Sequence, residues 1–387
     1  MSYPLPTAVL EFIPSGKSRV ANYGLLFSRF FNGYTADYSD VPATEKGKFL
    51  KERMVEVGGK CGDANAIKEA VKRQVALTSA LQGTSACFDC DWHFVTGTGN
   101  EHPVENGFTW HHSLGTPYIP GSTVKGLVRA WMEAVVGQSQ QDCQRWFGSP
   151  VKKDGKPEDN QAGELIFFDA IPTEVPELAV DIMTPHMGKW YEKGGDSANT
   201  LDANVMPGDW HAPVPVPFLV TRKASFLFSL AARPGCNPDL AAAVEALEGA
   251  LAWLGVGSKT AVGYGHMTRN DAALKAVENQ VAAEQEKAAE DAANALLTEQ
   301  ALKVKEIRQL FEADKAVGSK GVDASRALPK LNTLSDVGFA DWSADDKASL
   351  LELAEEVLKF YRDKDWMKPS KSEKKKGKPS LWQRLNQ

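Results

Sequence analysis

The alternation of apolar and polar positions divides the chain into stretches of different character. Up to about residue 270, short apolar runs such as 165–168 and 224–230 fit buried strands, and they alternate with helical patterns and with Gly and Pro. Helices are predicted over residues 123–136 and 238–254, the second with Asn237 as its N-cap. This mixture predicts an α+β fold.

From residue 271 the pattern becomes helical. Residues 272–315 are rich in Ala, Glu, Lys and Gln, and a second helical stretch covers 343–361. Several apolar residues of this region are spaced so that they form one buried face. They are Leu296, Leu302, Val304, Ile307, Leu310 and Phe311.

The last stretch is rich in lysine, a composition typical of disorder, although Leu381 and Trp382 could form a short docking element. The three stretches predict three parts of the molecule. They are a folded domain over residues 1–270, a helical appendage over 271–366 and a basic, disordered tail over 367–387.

Composition narrows the class of protein. With 43% hydrophobic and 24% charged residues among 387, the chain is long enough and apolar enough to bury a core. The sequence has neither a long apolar run nor a signal peptide, so we expect a cytoplasmic protein without a membrane segment. Five cysteines are too few for a disulfide framework, which fits a reducing compartment.

The charge distribution limits how the chain could bind an anion. The net charge is −6, yet residues 368–387 hold seven basic residues and one acidic residue, so the rest of the chain is more acidic than the total. A surface for nucleic acid on that acidic part must be a local patch of a few cations and backbone amides.

Four glycines lie close together in residues 255–265, around Lys259 and Thr260. Glycine adopts positive φ and allows close backbone approach, so successive amides there could bind an anion. The predicted order is helix, loop, strand, and Ser258 precedes the lysine. Both features exclude a Walker loop, and the order also excludes a dinucleotide fingerprint. A glycine-rich turn without a ligand remains the alternative.

A second segment, residues 117–129, enters a helix through a Pro-Gly turn. Ser122 and Thr123 are predicted caps, and Lys125 and Arg129 lie four residues apart on one helix face. A helix N-terminus with basic neighbours favours anions. An ordinary capped helix with two solvated cations is the alternative.

Together these two segments resemble the RAMP superfamily of CRISPR proteins. The family loop G-x-G-x-K-T-x-x-G-Y-G is matched within residues 255–265, and its P-Y-I-P-G-S-S/T-x-K-G segment is matched by residues 117–126. Residues 94–107, 169–172 and 181–186 look like segments of the sixth-subunit family of the type III-B effector, the Cmr complex. The resemblance covers residues 8–270 and not the helical appendage or the tail.

The resemblance implies a ferredoxin-like, RRM-like core. It also implies a non-catalytic RNA-binding backbone subunit of a type III-B CRISPR ribonucleoprotein in antiviral defence. Its partners would be CRISPR RNA, target RNA and the other subunits, and no cofactor or metal is expected. The predicted RNA-binding residues are Gly255, Gly257, Ser258, Lys259, Thr260, Gly263, Tyr264, Gly265, Ser122, Lys125 and Arg129.

Three other interpretations stay open. Some superfamily members cleave precursor CRISPR RNA without a metal, and the doublet His111-His112 could serve such an endoribonuclease. Alternatively, the helical appendage could act as a protein scaffold. Cys87 and Cys90 have the spacing of half a zinc site, but they fall in a predicted strand, where residues three apart face opposite sides.

A long, weakly periodic stretch adds a further prediction. Residues 183–215 contain Trp190, Tyr191 and Trp210. By resemblance, this stretch could be a thumb that enters the guide–target duplex, where exposed aromatic side chains would stack on bases. The alternative is that these aromatic side chains cover the core.

Overall fold

A computed structural model describes residues 22–55, 59–149, 160–194, 202–318, 325–339, 341–362 and 365–386. The chain divides into two compact units, Met1–Ala282 and Ala283–Gln387. Within the described ranges, no helix has both the length and the apolar character needed to span a bilayer.

In the described part of the first unit, seven strands form two antiparallel sheets. They are β1 (Thr84–Cys90), β2 (Leu165–Phe167), β3 (Ile171–Pro172), β4 (Glu177–Met183), β5 (Val216–Lys223), β6 (Ser225–Ala232) and β7 (Met267–Arg269). The larger sheet has the order β2-β6-β1-β7, and β3 also pairs with β6. The strands β4 and β5 form a separate hairpin.

Helices cover the larger sheet on both faces. Among its described residues, the α-helices of this unit are α1 (Tyr23–Arg29), α2 (Ala43–Lys48), α3 (Ala64–Ala80), α4 (Gly121–Trp131), α5 (Gln140–Phe147), α6 (Gly188–Lys193), α7 (Leu240–Trp253) and α8 (Asp271–Ala295), which runs on into the second unit. Helix α4 follows β1 and α7 follows β6, and the strand order is consistent with a ferredoxin-like βαββαβ core. The predicted α+β fold is confirmed.

The alternation of side chains along β1 explains why both faces are covered. Phe88 lies in the main core with residues of α4 and α7, whereas Cys87 lies in a second cluster with Ile67 and Val71 of α3. Strand β6 is central and buried along almost its whole length, as expected for a strand between two helical layers.

Both predicted helices are present, with different beginnings. Helix α4 begins two residues before the prediction and continues as a π-helical turn over Met132–Val136. Helix α7 is capped by Asp239, not by Asn237, because the Asp239 carboxylate accepts a hydrogen bond of 3.0 Å from the amide of Ala242.

The second unit is helical, as its composition predicts. In the ranges that the structure describes, its further α-helices are α9 (Glu299–Ala316), α10 (Ala327–Val337), α11 (Ala344–Arg362), α12 (Lys371–Lys375) and α13 (Leu381–Leu385). Val304, Ile307 and Phe311 are buried as predicted. Leu296 is 89% exposed and does not join that face, because it follows the end of α8.

The basic tail, for which disorder was predicted, contains α12 and α13 in this structure. Leu381 and Leu385, spaced to lie on one helix face, are both buried in the core of the second unit. Ser370 and Ser380 cap the two helices through capping boxes. Apolar spacing and capping therefore outweigh the lysine-rich composition here.

Candidate functional site

The glycine-rich segment connects α7 to β7, which is the predicted order of helix, loop and strand. Its base is fixed by three backbone hydrogen bonds. The amide of Val256 donates to Gly265 over 2.9 Å, the amide of Gly265 donates to His93 over 2.8 Å, and the amide of Ser258 donates to Val95 over 2.8 Å. The loop is thus attached to the chain that follows β1.

Two glycines of the loop are required by close backbone approach. Gly257 has φ +94° and Gly265 has φ +74°, and a Cβ at these positions would overlap the carbonyl oxygens of Val95 and Val256, respectively. Gly263 has φ +96° but faces open space, so only its backbone conformation favours glycine.

The exposed tip of the loop presents backbone donors. Lys259 has φ +60°, and a single 3₁₀ turn, Thr260–Val262, follows it. In the described structure, the amides of Gly257, Lys259, Thr260 and Ala261 donate to no acceptor. A left-handed residue followed by a right-handed turn is a conformation in which amides converge on an anion.

The predicted phosphate cradle is therefore narrower than residues 255–265. The amides of Gly255, Gly263 and Gly265 donate to Ala250, Thr260 and His93 inside the fold. These three amides are not available to a ligand, which leaves the stretch 257–261.

Lys259 supplies the positive charge of this tip. Its ammonium group lies 5.3 Å from the centre of the Phe218 ring. No carboxylate of the described residues pairs with it. The neighbouring Ser258 hydroxyl is held by Thr98, whose hydroxyl donates to it over 2.9 Å.

Tyr264 anchors the loop rather than facing solvent. It is 7% exposed, and its hydroxyl donates to Asp181 Oδ2 over 2.7 Å. His93 Nδ1 lies 3.1 Å from the same oxygen. Burial, together with the Asp181 carboxylate, raises the pKa of Tyr264 to about 12. Tyr264 was predicted to bind RNA, and the structure places it inside the fold.

Asp181 is ionised in this network. Burial opposes the charge, but hydrogen bonds from Tyr264, from the amide of Ile182 and from His93 outweigh burial and hold the pKa of Asp181 below its usual value. The sequence did not identify this anchor, since Asp181 and Tyr264 are 83 residues apart.

In the second predicted segment, residues 117–129, the N-terminus of α4 is not open to an anion as predicted. Helix α4 begins at Gly121 with Pro120 as N-cap, and Ser122 and Thr123 are exposed in the first turn rather than capping it. The amide of Gly121 donates to Asp169 Oδ1 over 2.6 Å. A carboxylate of the protein itself thus occupies the helix N-terminus that was predicted to attract phosphate.

The two cationic side chains of α4, Lys125 and Arg129, have different surroundings. Arg129 Nε donates to Glu133 over 2.7 Å, so its charge is partly neutralised. Lys125 is half-buried, and no carboxylate of the described residues pairs with it. No described hydrogen bond or ion pair joins either side chain to the glycine-rich loop.

Exposed aromatic side chains beside the loop were missed by the sequence analysis. Trp92 is 50% exposed, stacks on His93 with ring centres 4.5 Å apart, and lies 4.8 Å from the Tyr264 ring. Trp253, the last residue of α7, is 75% exposed. The position of Trp253 at the end of the helix that leads into the loop was an available signal, whereas nothing local in the sequence placed Trp92 near the loop. Exposed aromatic rings of this kind are suited to stacking on nucleic-acid bases.

The stretch 183–215 is the connection between β4 and β5, and residues 195–201 lie outside the described ranges. Tyr191 and Trp210 are exposed, at 76% and 61%, and Trp190 is half-buried. The two exposed rings therefore do not cover the core.

The histidine doublet lies at a separate cavity of about 500 Å³ that is also lined by Arg29, Trp110 and Tyr118. His111 Nδ1 lies 3.3 Å from the amide of Leu114, and burial lowers the pKa of His111. His112 is exposed.

The cysteine pair lies on β1, and the prediction that its members face opposite sides is confirmed. Cys87 packs in the cluster beneath α3, whereas Cys90 packs against the main core. Burial raises the pKa of both thiols to about 12. Because they face opposite sides of the sheet, one metal ion could not bind both.

Comparison with known proteins shows which family the chain resembles. A model described as the RAMP superfamily matches residues 90–268. The Cmr6 subunit of the Pyrococcus furiosus CRISPR system is 29% identical over 244 residues, which cover 49% of this chain and 69% of that protein. The Saccharolobus solfataricus Cmr6 subunit is 33% identical over 88 residues, or 22% of this chain and 27% of that protein.

Among solved structures, a chain in a cryo-EM structure of the type III-B Cmr-beta bound to cognate target RNA is 21% identical. It aligns with a TM-score of 0.43 over 59% of this chain and 73% of that chain. The family match spans the core from the end of β1 to β7, including both motif segments. The chain therefore matches the RAMP superfamily over residues 90–268, and it is similar to the Cmr6 subunits of CRISPR systems.

Proposed function

We propose that the chain is a non-catalytic, RNA-binding subunit of a type III-B CRISPR ribonucleoprotein. Together with other subunits it would hold CRISPR RNA and target RNA by their backbones. The observation that carries this proposal is the loop tip at residues 257–261, where four backbone amides and Lys259 lack acceptors or carboxylate partners among the described residues. The similarity to Cmr6 subunits supports the assignment to this kind of complex.

The chemistry of the tip suits an RNA backbone. Amides and a single ammonium group recognise a phosphate without reading a base, so the same tip would accept any sequence. Base pairing between guide and target would then provide the sequence specificity. The exposed rings of Trp92, which contacts Tyr264 of the loop, and of Trp253, which ends the preceding helix, would stack on bases of any type.

Replacing Lys259 with Ala tests the proposal. The variant should bind single-stranded RNA more weakly, to a similar degree for unrelated sequences. Its plot of log affinity against log salt should be shallower by about one unit, since one fewer phosphate is neutralised. Filter-binding titrations at several salt concentrations measure both effects.

The matched control is Lys275→Ala, which removes the same charge from an exposed position on α8. We expect this control to leave the salt slope unchanged. An unchanged slope for Lys259→Ala, or equal effects of the two substitutions, would refute the role of the loop tip.

The non-catalytic part of the proposal needs its own experiment. Purified protein is incubated with a labelled CRISPR repeat RNA in EDTA, and the RNA is expected to stay intact. Site-specific cleavage that disappears in His111→Ala and His112→Ala variants would instead establish a metal-independent endoribonuclease.

A further inference from the structure

The helical unit contains a cavity that the RNA-binding proposal does not use. Its volume is about 270 Å³, and α10, α11, α12, α13 and the turns around α12 line it. Four cationic side chains face it, against the carboxylates of Asp336 and Glu373. The cations are Arg362, Lys376, Lys378 and Arg384. The lining therefore has an excess of two positive charges.

Both carboxylates are already engaged by the protein. Arg384, 11% exposed, donates to Asp336 over 2.7 Å and to Glu373 over 2.8 Å. Glu373 also accepts from the amide of Ser370 over 2.6 Å. Asp336 lies 3.4 Å from the Lys378 ammonium. These contacts fix the wall of the cavity and engage both terminal nitrogens of Arg384.

Arg362 has no such hydrogen bonds in the part of the chain that the structure describes. Its side chain is only 11% exposed, yet it donates no hydrogen bond to the described residues. The nearest carboxylate oxygen, Glu373 Oε2, is 3.6 Å from a terminal nitrogen, which is too far for a hydrogen bond. Nη1 of Arg362 is buried without a hydrogen-bond acceptor among the described residues, and an unsatisfied donor of a charged group in a buried position is unfavourable.

We propose that this cavity binds a phosphate group, with Arg362 as its principal donor and with Lys376, Lys378 and the Ser372 hydroxyl as further contacts. A guanidinium fork matches two oxygens of a phosphate, and a doubly charged oxyanion balances the excess charge of the lining. The phosphate could be free, at the end of a nucleotide, or within an RNA backbone.

Calorimetric titration of inorganic phosphate into the full chain, at constant ionic strength, tests the site. Arg362→Met should weaken binding by about tenfold or more, because it removes the bidentate partner. Lys376→Ala combined with Lys378→Ala should also weaken it. The matched control replaces Lys374 and Lys375, exposed lysines of α12 that do not line the cavity, and should bind as the wild type does.

Thermal unfolding separates binding from a structural role. Arg362→Met also removes the 3.6 Å ion pair with Glu373, so its own melting temperature in phosphate-free buffer is the reference, and phosphate should no longer raise it. Lys259→Ala should retain phosphate binding, which distinguishes this cavity from the loop of the first unit.

A second arm identifies the source of the phosphate. A short RNA without terminal phosphates is added to Lys259→Ala protein before the phosphate titration. Competition shows that the cavity accepts an RNA backbone, and its absence shows that it takes a free or terminal phosphate. No phosphate binding by the wild type, or equal binding by Arg362→Met, would overturn the proposal.

Discussion

Alanine at Gly265 is expected to destabilise the first unit more than alanine at Gly263, although both glycines have positive φ. At Gly263 a Cβ meets open space, so the cost is that of a left-handed alanine, about 1 kcal/mol. At Gly265 the same cost applies, and the Cβ would also overlap the carbonyl oxygen of Val256.

Relief of that overlap requires the loop segment at Val256 and the loop segment at Gly265 to move apart. The movement would weaken the hydrogen bonds from Val256 to Gly265, 2.9 Å, and from Gly265 to His93, 2.8 Å. Each contributes about 1 kcal/mol. We therefore expect a loss of about 3 kcal/mol for Gly265→Ala, the sum of the backbone strain and the two weakened bonds.

Urea unfolding followed by circular dichroism measures the loss, and hydrogen exchange localises it. The amides of Val256 and Gly265 should exchange much faster in Gly265→Ala and only slightly faster in Gly263→Ala. Equal destabilisation by the two substitutions, or faster exchange confined to the second unit, would refute the close-approach argument.

Two further substitutions test carboxylates that accept hydrogen bonds from several groups. Tyr264→Phe should cost about 1 kcal/mol at neutral pH. The pKa of Asp181 is held below its usual value in the folded protein. The stabilisation is therefore fully present above about pH 4 and is lost as the pH falls through the folded pKa. The urea midpoints of the variant and the wild type should accordingly converge in acid. Asp314→Ala should destabilise the second unit by about 2 kcal/mol in thermal unfolding, because Asp314 is 2% exposed and accepts hydrogen bonds from Tyr361 and twice from Arg326.

The local sequence pattern was sufficient to predict the secondary structure around the site. The order helix, loop, strand at residues 255–265 and the strand position of Cys87 and Cys90 follow from periodicity and glycine content, both of which act over a few residues. The α+β class follows from the same signals.

The role of each loop residue depends on contacts far away in the chain. Whether a loop amide is free to bind a ligand depends on distant carbonyl groups. The carbonyls of His93 and Val95, in the segment that follows β1, accept hydrogen bonds from two of these amides. The same holds for Asp169, which fills the N-terminus of α4 from 48 residues away. A motif therefore marks the loop, and tertiary contacts decide which of its atoms face a ligand.

The charge balance sets how strongly one copy of the chain is expected to bind RNA. The loop offers a single cation, Lys259, in a protein of net charge −6. Amides add hydrogen bonds but release no counterions, so the salt slope of the loop alone should be only about one unit. Strong binding then requires several subunits on one RNA, where the first contact raises the effective concentration of the next. We therefore expect weak, weakly salt-dependent binding by the isolated chain and a much steeper salt dependence for an assembled complex.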